Sequence, residues 1–489
     1  MEAWLAANLA PIMFAALVLF LLIGYPVAFS LAAVGMLFGL IGIELGMLTP
    51  ALLQALPDRV FGIMRNEILL AIPFFTFMGL VLERSGMAED LLDTVGQIFG
   101  GIRGGLAYAV IFVGALLAAT TGVVAASVIA MGLISLPIML RYGYHKPLAT
   151  GVIAASGTLA QIIPPSLVLI VMADVLGRSV GEMYQGALLP GLLLTGFYLL
   201  YVFGITLWRP DYAPPLPVEA RTLHGRALAW RVVIALIPPL ALIFLVLGTI
   251  FIGWATPTEG GAMGAVGAML LAAAKGRLTL DMLRQSMTTT AKITSFVVFI
   301  LIGSSVFSLT FRGVNGDLWV EHLLTGLPGG ALGFLIFVNL LVFLLAFFLD
   351  FFEIAFIVLP LLAPVAAAFG IDLVWFGVLL AVNMQTSFMH PPFGFALFYL
   401  RSVAPPQIRT ADIYWGAVPF LGIQILMVIL IIAFPQLVSW GLDGPASNLT
   451  PTEVTLPDQG GSSLLDNDDF GGLFDMSPGD NTPPGDSAP

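Results

Sequence analysis

The sequence predicts an all-α polytopic membrane protein assembled from two repeats, each carrying broken helices. Three observations lead there. The 489 residues are 59% hydrophobic and only 10% charged, with a mean hydropathy of +1.02, whereas soluble domains are roughly a quarter charged. Apolar stretches of bilayer-spanning length recur from near Leu9 to Trp440, roughly ten to twelve of them at about 20 residues each. Gly and Pro landmarks then repeat in the same order along the two halves.

The landmarks are specific. "GYPVAFSLAAVG" (Gly24 to Gly35) resembles "ATPTEGGAMGAVG" (Ala255 to Gly267), with Pro26 and Pro257 offset by 231. "FFTFMG" ending at Gly79 pairs with "FVVFILIG" ending at Gly303, and "LISLPIM" around Pro137 with "FIVLPLL" around Pro360, at offsets of 224 and 223. Pro164-Pro165 in "GTLAQIIPPSLVLI" and Pro391-Pro392 in "NMQTSFMHPPFGFALFYL" are offset by 227. Duplicated halves with matching broken helices mark secondary transporters.

Between the halves runs "WRPDYAPPLPVEARTLHGRALAWR" (Trp208 to Arg231), with Arg209, Arg221, Arg226 and Arg231 against Asp211 and Glu219. The positive-inside rule makes this linker cytoplasmic. The expected organisation is a first membrane repeat at 1–208, a basic linker at 209–231, a second repeat at 232–441 and an acidic tail at 442–489. The tail holds nine of the acids and no Lys or Arg, so most of the net charge of −11 resides there. Its Gly, Pro, Ser and Asp content reads as disordered. No basic n-region precedes the first apolar run, so that run is read as a retained span with its N-terminus outside. There is no cysteine, which excludes disulfides and thiol chemistry.

Each proline lacks an N–H and leaves the carbonyl four residues earlier without its helical partner. Pro164 and Pro165 free Ala160 and Gln161; Pro391 and Pro392 free Ser387 and Phe388. In hydrocarbon an unpaired carbonyl costs several kcal/mol, and a dehydrated cation is one way to satisfy it. The helix that restarts after each break points its positive end back at the gap, which suits a carboxylate. Ser156, Thr158 and Gln161 precede one break, and Asn383, Gln385, Thr386 and Ser387 the other; a packing kink is the competing reading.

Together "GTLAQIIPPS", "ATPTEGGA", "AIPFFTFMG" and "QTSFMHPPFGFALFYLRSVAP" resemble the large membrane subunit of tripartite ATP-independent periplasmic (TRAP) transporters, from about Leu9 to Trp440. The last string is most similar to the branch associated with mannitol, chloroaromatic compounds or 2-oxo acids. The resemblance implies inverted repeats with re-entrant hairpins, and an elevator-type transporter in the bacterial inner membrane. It implies import of an organic acid, driven by sodium ions. The implied partners are a small four-helix membrane subunit (Q) and a periplasmic substrate-binding protein (P). A stand-alone sodium/carboxylate symporter is the alternative. No organic cofactor, no metal beyond sodium and no nucleic-acid partner is expected.

The family's sodium ligands carry over to Thr121 with the backbone of Ala160, Ile163 and Pro164, and to Ala346 with Ser387, His390 and Phe393. Val124 and His390 depart from the hydroxyls usual in the family. Asp350 and Glu353, three apart inside an apolar run, are candidates for an ion or substrate role or for a helix cap. Glu259 reads as a helix N-terminal charge, Asp174 and Arg178 as an interfacial pair, and Arg401 as a snorkelling side chain. Four scattered histidines with neither HExxH nor GxSxG argue against an enzyme.

Overall fold

The computed structural model describes residues 2–347, 349–440 and 442, and every regular element among them is helical. The body is Met1–Asp443; the expected tail, 442–489, lies outside the described residues except for Leu442. The first half contains α1 (Leu9–Ile23), α2 (Val27–Glu44), α3 (Ala71–Arg84), α4 (Met87–Phe99), α5 (Gly105–Thr121) and α6 (Val124–Arg141). It closes with α7 (Lys146–Thr158), α8 (Leu167–Leu176) and α9 (Val180–Trp208).

After the linker come α10 (Gly225–Phe251), α11 (Pro257–Ala274), α12 (Leu280–Gly313), α13 (Gly316–Thr325) and α14 (Gly330–Leu345). A helical turn at Phe351–Glu353 and a π-helical stretch at Ile354–Val358 lead into α15 (Leu359–Ala368). The chain ends on α16 (Leu373–Thr386), α17 (Phe395–Val403) and α18 (Thr410–Ala433). Among the described residues, seven helices are long and apolar enough to cross a bilayer, or eight if α13 and α14, bent by 116°, count as one. Four shorter apolar helices, α1, α5, α8 and α16, supply the remaining apolar stretches. Each is cut short by a Gly or Pro nearby, as at Gly122, where φ is +58°.

Packing between the halves is reciprocal. α2 lies on α12 and, in return, α11 lies on α3; α7 packs against α18 and α16 against α9; α17 packs on α6 and α8 on α15. Under the sequence offsets these are the same three contacts made twice with the halves exchanged, which a pseudo-two-fold relation requires. The closest is between α7 and α18, where a Cβ on Gly151 would come within 2.1 Å of Gly416 O. Thr158 and Gln385, equivalent at the offset of 227, meet each other through a hydrogen bond of 3.2 Å. They therefore sit on the exchange axis.

The linker is docked along the first half. Gly104 N–H donates to Ala213 O (2.9 Å), Leu216 N–H to Gly100 O (2.8 Å) and His145 N–H to Tyr212 O (2.9 Å). The His145 ring stacks on Tyr212 at 4.0 Å. α10 begins at Gly225, inside the range 209–231 assigned to the linker from sequence. Burial holds the His145 imidazole below its ordinary value of 6.5, opposed by the Asp412 charge and aided by Arg209. The folded state therefore takes a proton less readily than the unfolded chain. That part of the stability is full above pH 6.5 and is lost as the pH falls further. Hydrogen exchange at the Leu216 and Gly104 amides, corrected for intrinsic pH dependence, should accelerate on acidification in the wild type and much less in His145→Gln. Equal acceleration in both would remove His145 from the docking.

Candidate ion and substrate site

The two Pro-Pro breaks end their helices as the missing N–H groups dictate. α7 runs into a 3₁₀ turn at Leu159–Gln161, and α8 restarts under Ser166, whose Oγ accepts from Leu169 N–H. α16 stops at Thr386 and α17 restarts at Phe395. Both Pro164-Pro165 and Pro391-Pro392 peptides are cis.

The four freed carbonyls fall into two kinds. Gln161 O accepts from the Ser166 hydroxyl, and Phe388 O accepts from Ala396 N–H at 3.1 Å. Ala160 O and Ser387 O meet no donor among the described residues, and both residues are fully buried. One carbonyl per break is thus left without a donor among the described residues. They occupy equivalent places in the two halves.

Each break faces the tip of a helical hairpin from its own half. A Cβ on Gly122, between α5 and α6, would lie 3.2 Å from Pro165 O. In the second half, Phe347 beyond α14 stacks on His390 at 3.9 Å, and its ring is 6.3 Å from that of Phe393. Thr121 ends α5, but its side chain lies outside the described residues. Val124 begins α6, and Ala346 is the buried C-cap of α14. Ile163 and Pro164 are buried in the first break; Phe393 is 46% exposed at the second. The buried His390 ring also meets Phe343 edge-on at 5.2 Å, and neither ring nitrogen has a hydrogen-bond partner. Its carbonyl accepts from Gly394 N–H at 2.9 Å.

Most of the polar side chains anticipated near the breaks serve the helices. Ser156, Thr386 and Ser387 turn their hydroxyls onto Val152 O, Asn383 O and Met384 O. Asn383 donates to Asn339 O (2.7 Å), binding α16 to α14. Asp350 and Glu353 form a capping box: Asp350 Oδ1 accepts from Phe351 N–H at 2.7 Å and Glu353 Oε2 from Asp350 N–H at 2.9 Å. Glu259 closes a capping box with Thr256, as its position suggested. Asp174 does not pair with Arg178; it accepts from Asn66 Nδ2 at 2.6 Å, because the N-terminal end of α3 lies nearer than the next helical turn. Arg401 is exposed and donates to Ile408 O at 2.6 Å.

Gln161 is the exception. Its amide is buried, and neither the oxygen nor the nitrogen has a partner. Beside the break lies a polar cluster that sequence reasoning found only in part: Gln385 and Gln424 both donate to Thr158 Oγ1 (3.2 and 3.3 Å), and Gln424 donates to Tyr198 OH at 2.9 Å. Gln424 had a visible signal as the lone amide in "LGIQILMVIL". Tyr198 had none.

Residues 14–437 match the model of the tripartite ATP-independent periplasmic transporter, DctM component. The chain belongs to this family. It is 31% identical over 448 residues to the C4-dicarboxylate TRAP transporter large permease protein DctM of Rhodobacter capsulatus, spanning 88% of this chain and 97% of that one. It is 28% identical over 415 residues to the sialic acid TRAP transporter large permease protein SiaM of Vibrio cholerae, over 84% and 93% of the two chains. In fold it resembles the Alcanivorax borkumensis YdaH transporter, whose crystal structure has an unusual topology, with a TM-score of 0.56 at 17% identity over 79% of this chain and 90% of that chain. The protein is therefore a multi-span TRAP permease component of the bacterial inner membrane and not an enzyme.

Replacing Gln424 by Leu in this permease removes two buried donors and leaves the Tyr198 hydroxyl short of a partner, a loss of about 1–3 kcal/mol. Denaturant unfolding in nanodiscs should register it. Unchanged stability would mean the cluster is held by other bonds.

Proposed function

We propose that this permease imports an organic acid on a sodium gradient, with a small four-helix membrane subunit completing it and a periplasmic binding protein delivering the acid. The observation that carries the reading is the matched pair of buried, unpaired carbonyls at Ala160 and Ser387. An oxygen left bare at membrane depth is tolerated where it lines a protein-enclosed ion site, and a dehydrated sodium ion is a hard cation that takes oxygen ligands. Thr121, Ile163 and Pro164 would complete the first site, and Ala346, His390 and Phe393 the second. Gln161, with its unpartnered amide, would face the substrate or its ion.

An organic acid is supported by the relatives, whose names specify C4-dicarboxylate and sialic acid. Pro164→Ala and Pro391→Ala restore a backbone donor to Ala160 O and Ser387 O. Each variant should insert normally and lose sodium-dependent uptake in proteoliposomes supplied with the binding protein. Full uptake without sodium, or wild-type uptake by both variants, would return the breaks to packing kinks.

The two faces of the molecule differ in a way that suits alternating access by an elevator. At the outer end of α8, Asp174 bonds to Asn66 and α8 packs on α3. Arg401, the residue equivalent to Asp174, is exposed and bonds only within its own segment. There α17 has no comparable packing on α12. With the basic linker inside, this is a state closed toward the periplasm. Leaving it must break the Asn66–Asp174 bond. In this cysteine-free chain, joining positions 66 and 174 as Asn66→Cys with Asp174→Cys should arrest uptake, and reductant should restore it. Transport that continues through the cross-link would rule out separation at this contact.

A further inference from the structure

A cavity of about 1000 Å³ lies between the start of α2 and the Thr288–Ile300 stretch of α12, with the Phe351–Glu353 turn contributing Glu353 to its wall. Thr288, Lys292 and Ser295 line it from one face of α12, spaced i, i+4, i+7. Phe29, Phe296 and Phe299 form much of the remaining wall. Glu353, 8% exposed, is the acid that lines it. Lys292 is exposed to the cavity and has no ion pair or hydrogen bond among the described residues; in particular it does not pair with Glu353.

Lys292 and Arg312 bracket the apolar part of α12, a length of about 30 Å that matches the hydrocarbon core. Lys292 therefore stands at the linker-side boundary, where water reaches its ammonium group without a large desolvation cost. Glu353 lies on the opposite wall, its carboxylate committed to the Asp350 backbone.

We propose that this cavity is the binding site for a monocarboxylate with an apolar body, and that Lys292 is the residue that holds its carboxylate. This rests on the reading of the protein as an organic-acid importer. The wall charges set the orientation. The carboxylate is drawn to Lys292 and supported by the Thr288 and Ser295 hydroxyls, while the apolar body lies against Phe29, Phe296 and Phe299, which gain by excluding water. A second carboxylate would meet that aromatic wall, with no second cation among the lining residues to receive it. The site thus discriminates against C4-dicarboxylates by leaving their second carboxylate desolvated and unpaired.

The test is calorimetric titration of the full-length chain in nanodiscs with phenylacetate, 4-methylvalerate and succinate. The two monocarboxylates should bind at least about tenfold more tightly than succinate, and Lys292→Met should weaken them about tenfold, whereas Lys292→Arg keeps them within about threefold. Phe296→Ala should weaken phenylacetate with Lys292 intact. Succinate binding as tightly as the monocarboxylates, no monocarboxylate binding, or wild-type affinity in Lys292→Met would each overturn the proposal. Sodium-driven uptake run in parallel separates the two readings. Gradient-driven uptake that ignores Lys292→Met defeats this site alone; Lys292-dependent binding without sodium-driven uptake defeats the transport reading and leaves the site standing.

Discussion

The structure depends on one constraint: a backbone carbonyl at membrane depth has to be satisfied. Two Pro-Pro pairs free four such carbonyls, and the surrounding chain is arranged around them. Ser166 and Ala396 each close one gap from the far side of a break. Hairpin tips at Gly122 and Phe347 fold inward until they touch the breaks. What remains is one bare oxygen in each half, Ala160 O and Ser387 O, held in dry, packed surroundings where an ion's field is little screened.

Duplication makes this arrangement rigid enough to be useful. Because α2 rests on α12 and α11 on α3, the most extensive packing of these helices comes from the opposite half, and the halves lock through each other. The lock closes on the exchange axis with Thr158, Gln385, Gln424 and Tyr198, a buried network that leaves few alternative registers for α7 and α16. Gly151 against Gly416 brings the α7 and α18 backbones to a separation that no larger side chain would permit. The two breaks are thus positioned by the same set of contacts.

The breaks were legible because proline acts on its own helix: the carbonyls it frees are four residues away, and their identity needs no tertiary knowledge. The duplicated landmarks were legible for the same reason. Tertiary bonds were not. Asp174 and Arg178 have the spacing of a helical pair, yet Asp174 turns to Asn66, 108 positions earlier, because α3 arrives there in the fold. Gln161 O was freed by Pro165 as the chemistry required, but Ser166 takes it, and a short side chain five residues on carries no periodic signal. Ser156, Thr386 and Ser387, singled out for preceding the breaks, turn their hydroxyls onto their own helices, as small hydroxyls in apolar helices commonly do.

The halves agree in backbone and differ in side chains, and function needs both. Repeating the frame allows two equivalent ends, one closed by Asn66 and Asp174 and the other open beside Lys292. The side chains make the two ends unlike. Arg401 stands where the first half has Asp174, so the second end offers a guanidinium in place of a hydrogen-bond-accepting carboxylate. His390 fills its break with an aromatic stack, whereas the first break has Ile163 at that place. A permease assembled this way repeats one backbone frame and lets a few side chains set which bonds form at each end.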